Sequence, residues 1–173
     1  MKRSVTLSVT RTALLCALAI ALSALESVFT PVLPPGAKAG LSNVIVMLAA
    51  SVMGLPTTLF IVLVKAAFAL LTRGAVAALL SALGGVCSAL VLWTLFRFAR
   101  PLGVLGISTL GAVTHSLAQL LGSYVLYGAA IFAYAPVLLL LSLPSGAVTA
   151  AVLRAVTLLP ISKRTEMNDE GSL

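Results

Sequence analysis

Carboxylates are almost missing from this chain. Only Glu26, Glu166, Asp169 and Glu170 are acidic, and the last three sit together in the C-terminal tail. Magnesium-dependent or paired-carboxylate chemistry needs acidic groups grouped closely, and the apolar part of the chain offers one. Cysteine is as scarce. Cys16 and Cys87 each lie inside an apolar run with no CxxC or Cys/His spacing, which removes a disulfide framework and a structural zinc site. Both read as small packing residues. No phosphate-cradling GxxxxGK[ST], GxSxG or HExxH pattern occurs. We therefore expect no catalytic residues, no metal site and no cofactor in this chain. Aromatics are few as well, and Trp93, Tyr124, Tyr127 and Tyr134 read as interfacial belt residues rather than a ligand-stacking box.

Charge of either sign is thin. Only 9% of the 173 residues are charged and 61% are hydrophobic, whereas about a quarter of an ordinary soluble domain is charged. One soluble core could not hide that much apolar surface, but a bilayer solvates it. The net charge of +7 raises nucleic acid as a partner, and its placement argues against one. Lys2, Arg3, Arg11, Arg97, Arg100, Arg154, Lys163 and Arg164 flank apolar runs or lie in tails, as anchors beside anionic headgroups do.

Gly, Pro and charge divide the chain into six apolar stretches: about 11–29, 41–53, 57–71, 75–96, 105–126 and a last one from 129 that fades near Pro160. The expected fold is an all-α integral membrane bundle of about six helices. Residues 1–10 form a cytoplasmic N-terminal tail, 11–160 the membrane domain and 161–173 a disordered cytoplasmic tail. The second and third stretches fall short of the roughly 20 residues a spanning helix needs; they either tilt little in a thin region, are partly re-entrant, or are longer than they look. Pro136 and Pro144 invite a kink in the sixth. The start of the chain imitates a signal peptide, with a possible cleavage site near residues 21–23. The spacing of Ala13, Ala17 and Ala21 favours a retained helix instead, because such a small-residue stripe lets another helix approach closely.

With both termini in the cytoplasm, all eight flanking basic residues fall inside, and Lys38 and Arg73 fall outside. Ionisable groups within the helices cost roughly 2.5–3.5 kcal/mol each on an insertion scale, so each needs a reason. Glu26, Lys65 and His115 are such groups, and Asn43, Ser81, Ser88, Ser108, Thr114 and Gln119 accompany them. Lys65 and Arg73 are eight apart and share a side if one helix holds both; His115 and Gln119 are four apart and stack on one face. Gly84 and Gly85 between Ser81 and Ser88 thin the fourth helix for a close neighbour. Plain structural readings stand beside these. Lys65 could pair with Glu26, the serines could bond back to their own helix, and His115 and Gln119 could link helices. Taken together, three cations against one carboxylate on the outer half favour an anionic ligand. The Pro/Gly-rich loop at 31–40 would cover it as a lid.

The run from Glu26 to Asn43, ESVFTPVLPPGAKAGLSN, resembles the signature of a small bacterial membrane family known as the Gx transporter family and as heptaprenyl diphosphate synthase component I. Lys65, Arg73-Gly74, the run from Ser81 to Ser88 and the run from Ile107 to Gln119 extend the resemblance across about 11–150. The transporter name implies a fold like that of the substrate-binding S components of energy-coupling factor uptake systems. Such a protein binds a small solute from outside and docks on a membrane coupling subunit driven by ATPases. On that reading Glu26, Lys38, Asn43, Lys65, Arg73, Ser88, His115 and Gln119 hold the solute, and Ala13, Ala17 and Ala21 meet the partner. The synthase name implies instead a noncatalytic partner of a polyprenyl diphosphate synthase, docking through Arg97, Arg100, Lys163 and Arg164. The S-component-like reading is the leading expectation here and the synthase component the alternative. A purely structural scaffold is a third class, and would leave the buried polar groups paired with no cavity.

Overall fold

A computed structural model describes residues 2–29 and 40–158 of the chain. Six α-helices follow one another: α1 Lys2–Phe29, α2 Leu41–Val52, α3 Leu55–Arg73, α4 Ala75–Phe98, α5 Gly103–Tyr127 and α6 Ala135–Leu158. Short 3-10 turns precede the last two, over Arg100–Leu102 and Ala129–Tyr134. No strand occurs among the described residues. The elements match the apolar stretches because Gly, Pro and charge fall at the breaks of an otherwise apolar sequence. The α3–α4 turn is one such break. Gly74 takes φ 89°, a value L side chains resist, and so reverses the chain with a single residue.

Three boundaries differ from the sequence reading. Helix α1 begins at Lys2 rather than near Arg11, because 2–10 contain no Gly or Pro and charge alone does not end a helix. Helix α3 reaches Arg73 and has spanning length, so Lys65 and Arg73 do share one continuous helix. Helix α6 starts at Ala135, which places Pro136 in its first turn, where a missing N–H costs nothing. Pro144 is its interior proline.

Five helices are long and apolar enough to cross a bilayer; α2, with 12 residues, is not. That short helix is the axis of the bundle. It packs against α1, α3, α4 and α6 and touches α5, and seven of its residues are buried, from Ser42 to Ala50. Around it α3, α4, α5 and α6 pack in sequential pairs, while α1 rests on α2 and α3. The inner faces are small. Val46, Met47, Ala50, Val62, Ala89, Leu92, Ile107 and Leu153 form one apolar cluster, and Cys16, Ala19, Ile45, Ala49 and Ile61 another. Many large apolar side chains point outward, among them Leu63, Leu71, Val125 and Leu140. That inverted pattern suits hydrocarbon, where helices associate through close packing and hydrogen bonds because lipid is as apolar as the core.

Close approach is visible in named pairs. A Cβ on Gly146 of α6 would lie 2.8 Å from the backbone Cα of Thr109 on α5, and one on Gly85 of α4 would lie 2.6 Å from Val62 Cγ1 on α3. Hydroxyls then bridge the touching backbones. Ser88 Oγ donates to Gly111 O at 3.0 Å, joining α4 to α5, and Ser108 Oγ donates to Gly146 O at 2.6 Å, joining α5 to α6. Each such buried bond contributes about 0.5–1.5 kcal/mol.

Candidate functional site: a polar junction at the start of α2

The first turn of α2 brings together the buried Glu26, Ser42 and Lys65. Its N-terminal N–H groups need acceptors, and the acceptor comes from another helix. Glu26, 4% exposed near the end of α1, accepts from Leu41 N at 2.7 Å, from Ser42 Oγ at 2.6 Å and from Ser42 N at 3.4 Å. A carboxylate at a helix N-terminus also meets the positive end of the helix dipole. Glu26 is thus a capping group supplied from outside the helix it caps. One residue further on, Asn43 Oδ1 accepts from Lys65 Nζ of α3 at 2.6 Å, and Lys65 is as buried as Glu26.

Gly40 leads into this turn. Its φ is 77°, and a Cβ there would collide with Ser145 of α6, so both conformation and contact require glycine. On the other side of α2, Gly84 leaves room for the side chains of His115 and Gln119, which a Cβ would meet at 2.9 Å. Gln119 Nε2 reaches Leu80 O of α4 at 3.4 Å. His115 and Gln119 are both buried, one turn apart on α5.

Between α2, α5 and α6 these groups enclose a small cavity of about 20 Å³, lined by Gly40, Asn43, His115, Gln119, Ser142 and Ser145 among others. That is room for about one water molecule. A second void of about 10 Å³ adjoins it through Asn43 and Ala112 and reaches Ser88, Ser108 and Thr149. Helix α6 contributes Leu138, Leu141, Ser142 and Ser145 to the first and Thr149 to the second.

Of the eight residues expected to hold a ligand, Asn43, His115 and Gln119 line the cavity and Ser88 lines the adjoining void. Ser88 donates to Gly111 O. Lys65 stands directly behind Asn43, and Glu26 closes the α2 turn. Arg73 lies two turns beyond Lys65 at the end of α3, half-buried, away from the cavity lining. Lys38, the proposed lid at 31–39 and the tail with Lys163 and Arg164 fall outside the described residues. Ala13, Ala17 and Ala21 are exposed. The face of α1 turned to the bundle is the stripe of Cys16, Ala19, Ser23 and Glu26. Sequence reasoning did not single out Ser116, Ser142, Ser145 and Thr149. The signal was present, since 142, 145 and 149 are spaced three and four apart around Pro144, one face of a helix. No group of three or more His, Cys, Asp or Glu stands together among the described residues.

Apolar helices closed around a buried polar junction define an all-α, multi-pass membrane protein. The chain belongs to the heptaprenyl diphosphate synthase component I family, whose model matches residues 15–156 and so takes in the whole junction. No curated protein and no solved structure matches it.

Proposed function

We propose that this chain is the noncatalytic membrane component of a polyprenyl diphosphate synthase. The family match over residues 15–156 carries the reading. The chain's chemistry agrees with it. Condensing prenyl diphosphates calls for clustered carboxylates holding magnesium, and the helices supply one carboxylate, already engaged at the α2 turn. The reaction then belongs to a partner subunit, and this bundle holds that partner at the bilayer, where a long prenyl chain is soluble. Lys2, Arg3 and Arg11 lie in the first turns of α1, Arg97 and Arg100 at the end of α4 and just after it, and Arg154 near the end of α6; helices that cross in alternation put these ends at one end of the bundle. We place that end, with both termini, in the cytoplasm, facing an acidic surface of the synthase. Reconstituting the chain in nanodiscs with a soluble catalytic subunit tests this. Retention of the synthase on the discs and more long-chain product from labelled isopentenyl diphosphate are expected. Unchanged rate, product length and sedimentation would remove the reading.

A second reading has its own observation. The polar cavity between α2, α5 and α6 favours a binding subunit for a small solute, working with a membrane coupling subunit and its ATPases. The exposed Ala13, Ala17 and Ala21 face is then the docking surface. Native mass spectrometry separates the two readings: a small molecule retained by the chain alone supports this one.

A further inference from the structure

We infer that the acidic stretch 166–170, in the segment that follows α6, binds back on the basic end of the bundle, between the first turns of α1 and the end of α4. There it covers the surface that an acidic partner would use. The inference rests on the synthase-component reading for that partner and adds a competitor carried by the chain itself.

Helix α1 outruns the bundle at this end. It runs antiparallel to α2, with Glu26 beside Ser42 and with Cys16 and Ala19 packed among Ile45, Ala49 and Ile61. Beyond Ala49, α2 and its turn continue through residues 50–54, about 7 Å, whereas α1 continues back from Cys16 through residues 2–15, about 21 Å. The difference leaves about 14 Å of helix standing clear of the turn at Gly54. Residues 6–11 are accordingly all exposed, and α1 packs only on α2 and α3 among the described residues. Leu92 of α4 and Leu153 of α6 share a cluster with Ala50, so Arg97 and Arg154 belong to this same end.

Lys2, Arg3, Arg11, Arg97, Arg100 and Arg154 give it six cations. Arg11 and Arg97 are exposed, and Arg97 lies over the Trp93 ring at 5.7 Å, which leaves the edge of its guanidinium for a carboxylate. Among the described residues the only carboxylate is Glu26, about 22 Å along α1 from Arg11. The other three acids of the chain, Glu166, Asp169 and Glu170, follow α6 by eight to twelve residues, and α6 finishes at this end. Lys163 and Arg164 stand before them, so only the part beyond Thr165 is purely acidic. Reach is sufficient. The eight residues from Leu158 to Glu166 extend up to about 26 Å. Helices α1 and α6 both pack on α2, which sets them at most about 20 Å apart. An acidic protein surface would satisfy the same cations, so one occupant excludes the other.

Disulfide trapping tests the docking with no synthase present. In a Cys16→Ser/Cys87→Ser background, Asn168→Cys is paired with Thr10→Cys on the exposed part of α1, in the full chain in neutral-lipid nanodiscs. Trapping rates under copper-phenanthroline are normalised to maleimide labelling of position 168. The rate should fall about tenfold in Glu166→Gln/Asp169→Asn/Glu170→Gln, the scale of three exposed ion pairs acting together. It should fall likewise between about 0.01 M and about 1 M salt, as the screening length drops from about 30 Å to about 3 Å. An unchanged rate under both treatments, in a folded and monodisperse protein, would overturn the docking. Poly-glutamate then probes the covered surface. It should bind the charge-neutral variant about tenfold more tightly than the unaltered chain, and Arg11→Gln/Arg97→Gln should weaken both. Equal affinity for the two would overturn the competition. Docking and competition observed while nanodiscs fail to retain a synthase would remove the partner reading and leave this inference standing.

Discussion

Asn43 and Lys65 meet across the α2–α3 interface, Oδ1 to Nζ at 2.6 Å, with the lysine 4% exposed. Replacing the amide strips an acceptor from that buried charge. We therefore expect Asn43→Leu to destabilise the bundle by about 3 kcal/mol. SDS-titration unfolding in mixed micelles measures it, and a loss below about 1 kcal/mol would contradict the role of Asn43 as an acceptor for Lys65.

Glu26 caps α2 through Leu41 N and Ser42 Oγ. Glu26→Ala leaves these donors unsatisfied and should cost about 2–3 kcal/mol. Glu26→Gln keeps an acceptor and loses the attraction between charge and dipole, a difference of about 1 kcal/mol. Hydrogen exchange at Leu41 and Ser42 should rise in Glu26→Ala before exchange elsewhere does.

The two demands on Gly40 are separable by a double-mutant cycle. Gly40→Ala meets both the positive φ and Ser145. Adding Ser145→Ala relieves most of the collision and leaves the backbone cost of about 1–2 kcal/mol. The double variant should be more stable than Gly40→Ala alone.

Glycines within α5 and α6 should behave in opposite ways. Gly146→Ala drives a Cβ into the Thr109 backbone and forces α5 and α6 apart, with an expected loss of about 2 kcal/mol or more. At Gly106 the nearest atom is Leu102 Cβ at 3.5 Å, so Gly106→Ala should be neutral or stabilising by up to about 1 kcal/mol. Thermal unfolding of both variants gives the comparison.

Ala17 is exposed on α1. Ala17→Leu should leave stability within about 0.5 kcal/mol and yet lower association with a membrane partner, if that face is where the partner sits. Unfolding midpoint and co-purification, measured on one sample, distinguish lost docking from lost folding.

The bundle was readable from the sequence because Gly and Pro punctuate an apolar text, and a charge inside such a text stands out. Glu26, Lys65 and His115 stand out in that way. Their partners were less legible. The link from Glu26 to Leu41 and Ser42 spans a loop, and no periodicity connects the end of one helix to the start of the next. Ser116, Ser142 and Ser145 escaped notice because a helical serine usually bonds back to its own turn, as Ser142 does with Leu139. The reach of α1 back to Lys2 is hidden because Arg11 looks like an end, although a helix tolerates arginine well. Arg73 is expected in the site from its charge, its spacing from Lys65 and the family resemblance, none of which says at what height a neighbouring helix begins.

The brevity of α2 bears on how the chain enters the bilayer. Twelve residues rise about 18 Å, little more than half the hydrocarbon thickness. A segment so short makes a poor stop for membrane-insertion machinery, while α3, two residues further on, makes a good one. Integration of α2 therefore waits for α3, and the two enter as a hairpin turned at Gly54. A nascent chain truncated after Met53 would leave its newest helix outside the membrane, with Glu26 still lacking the helix it is there to cap.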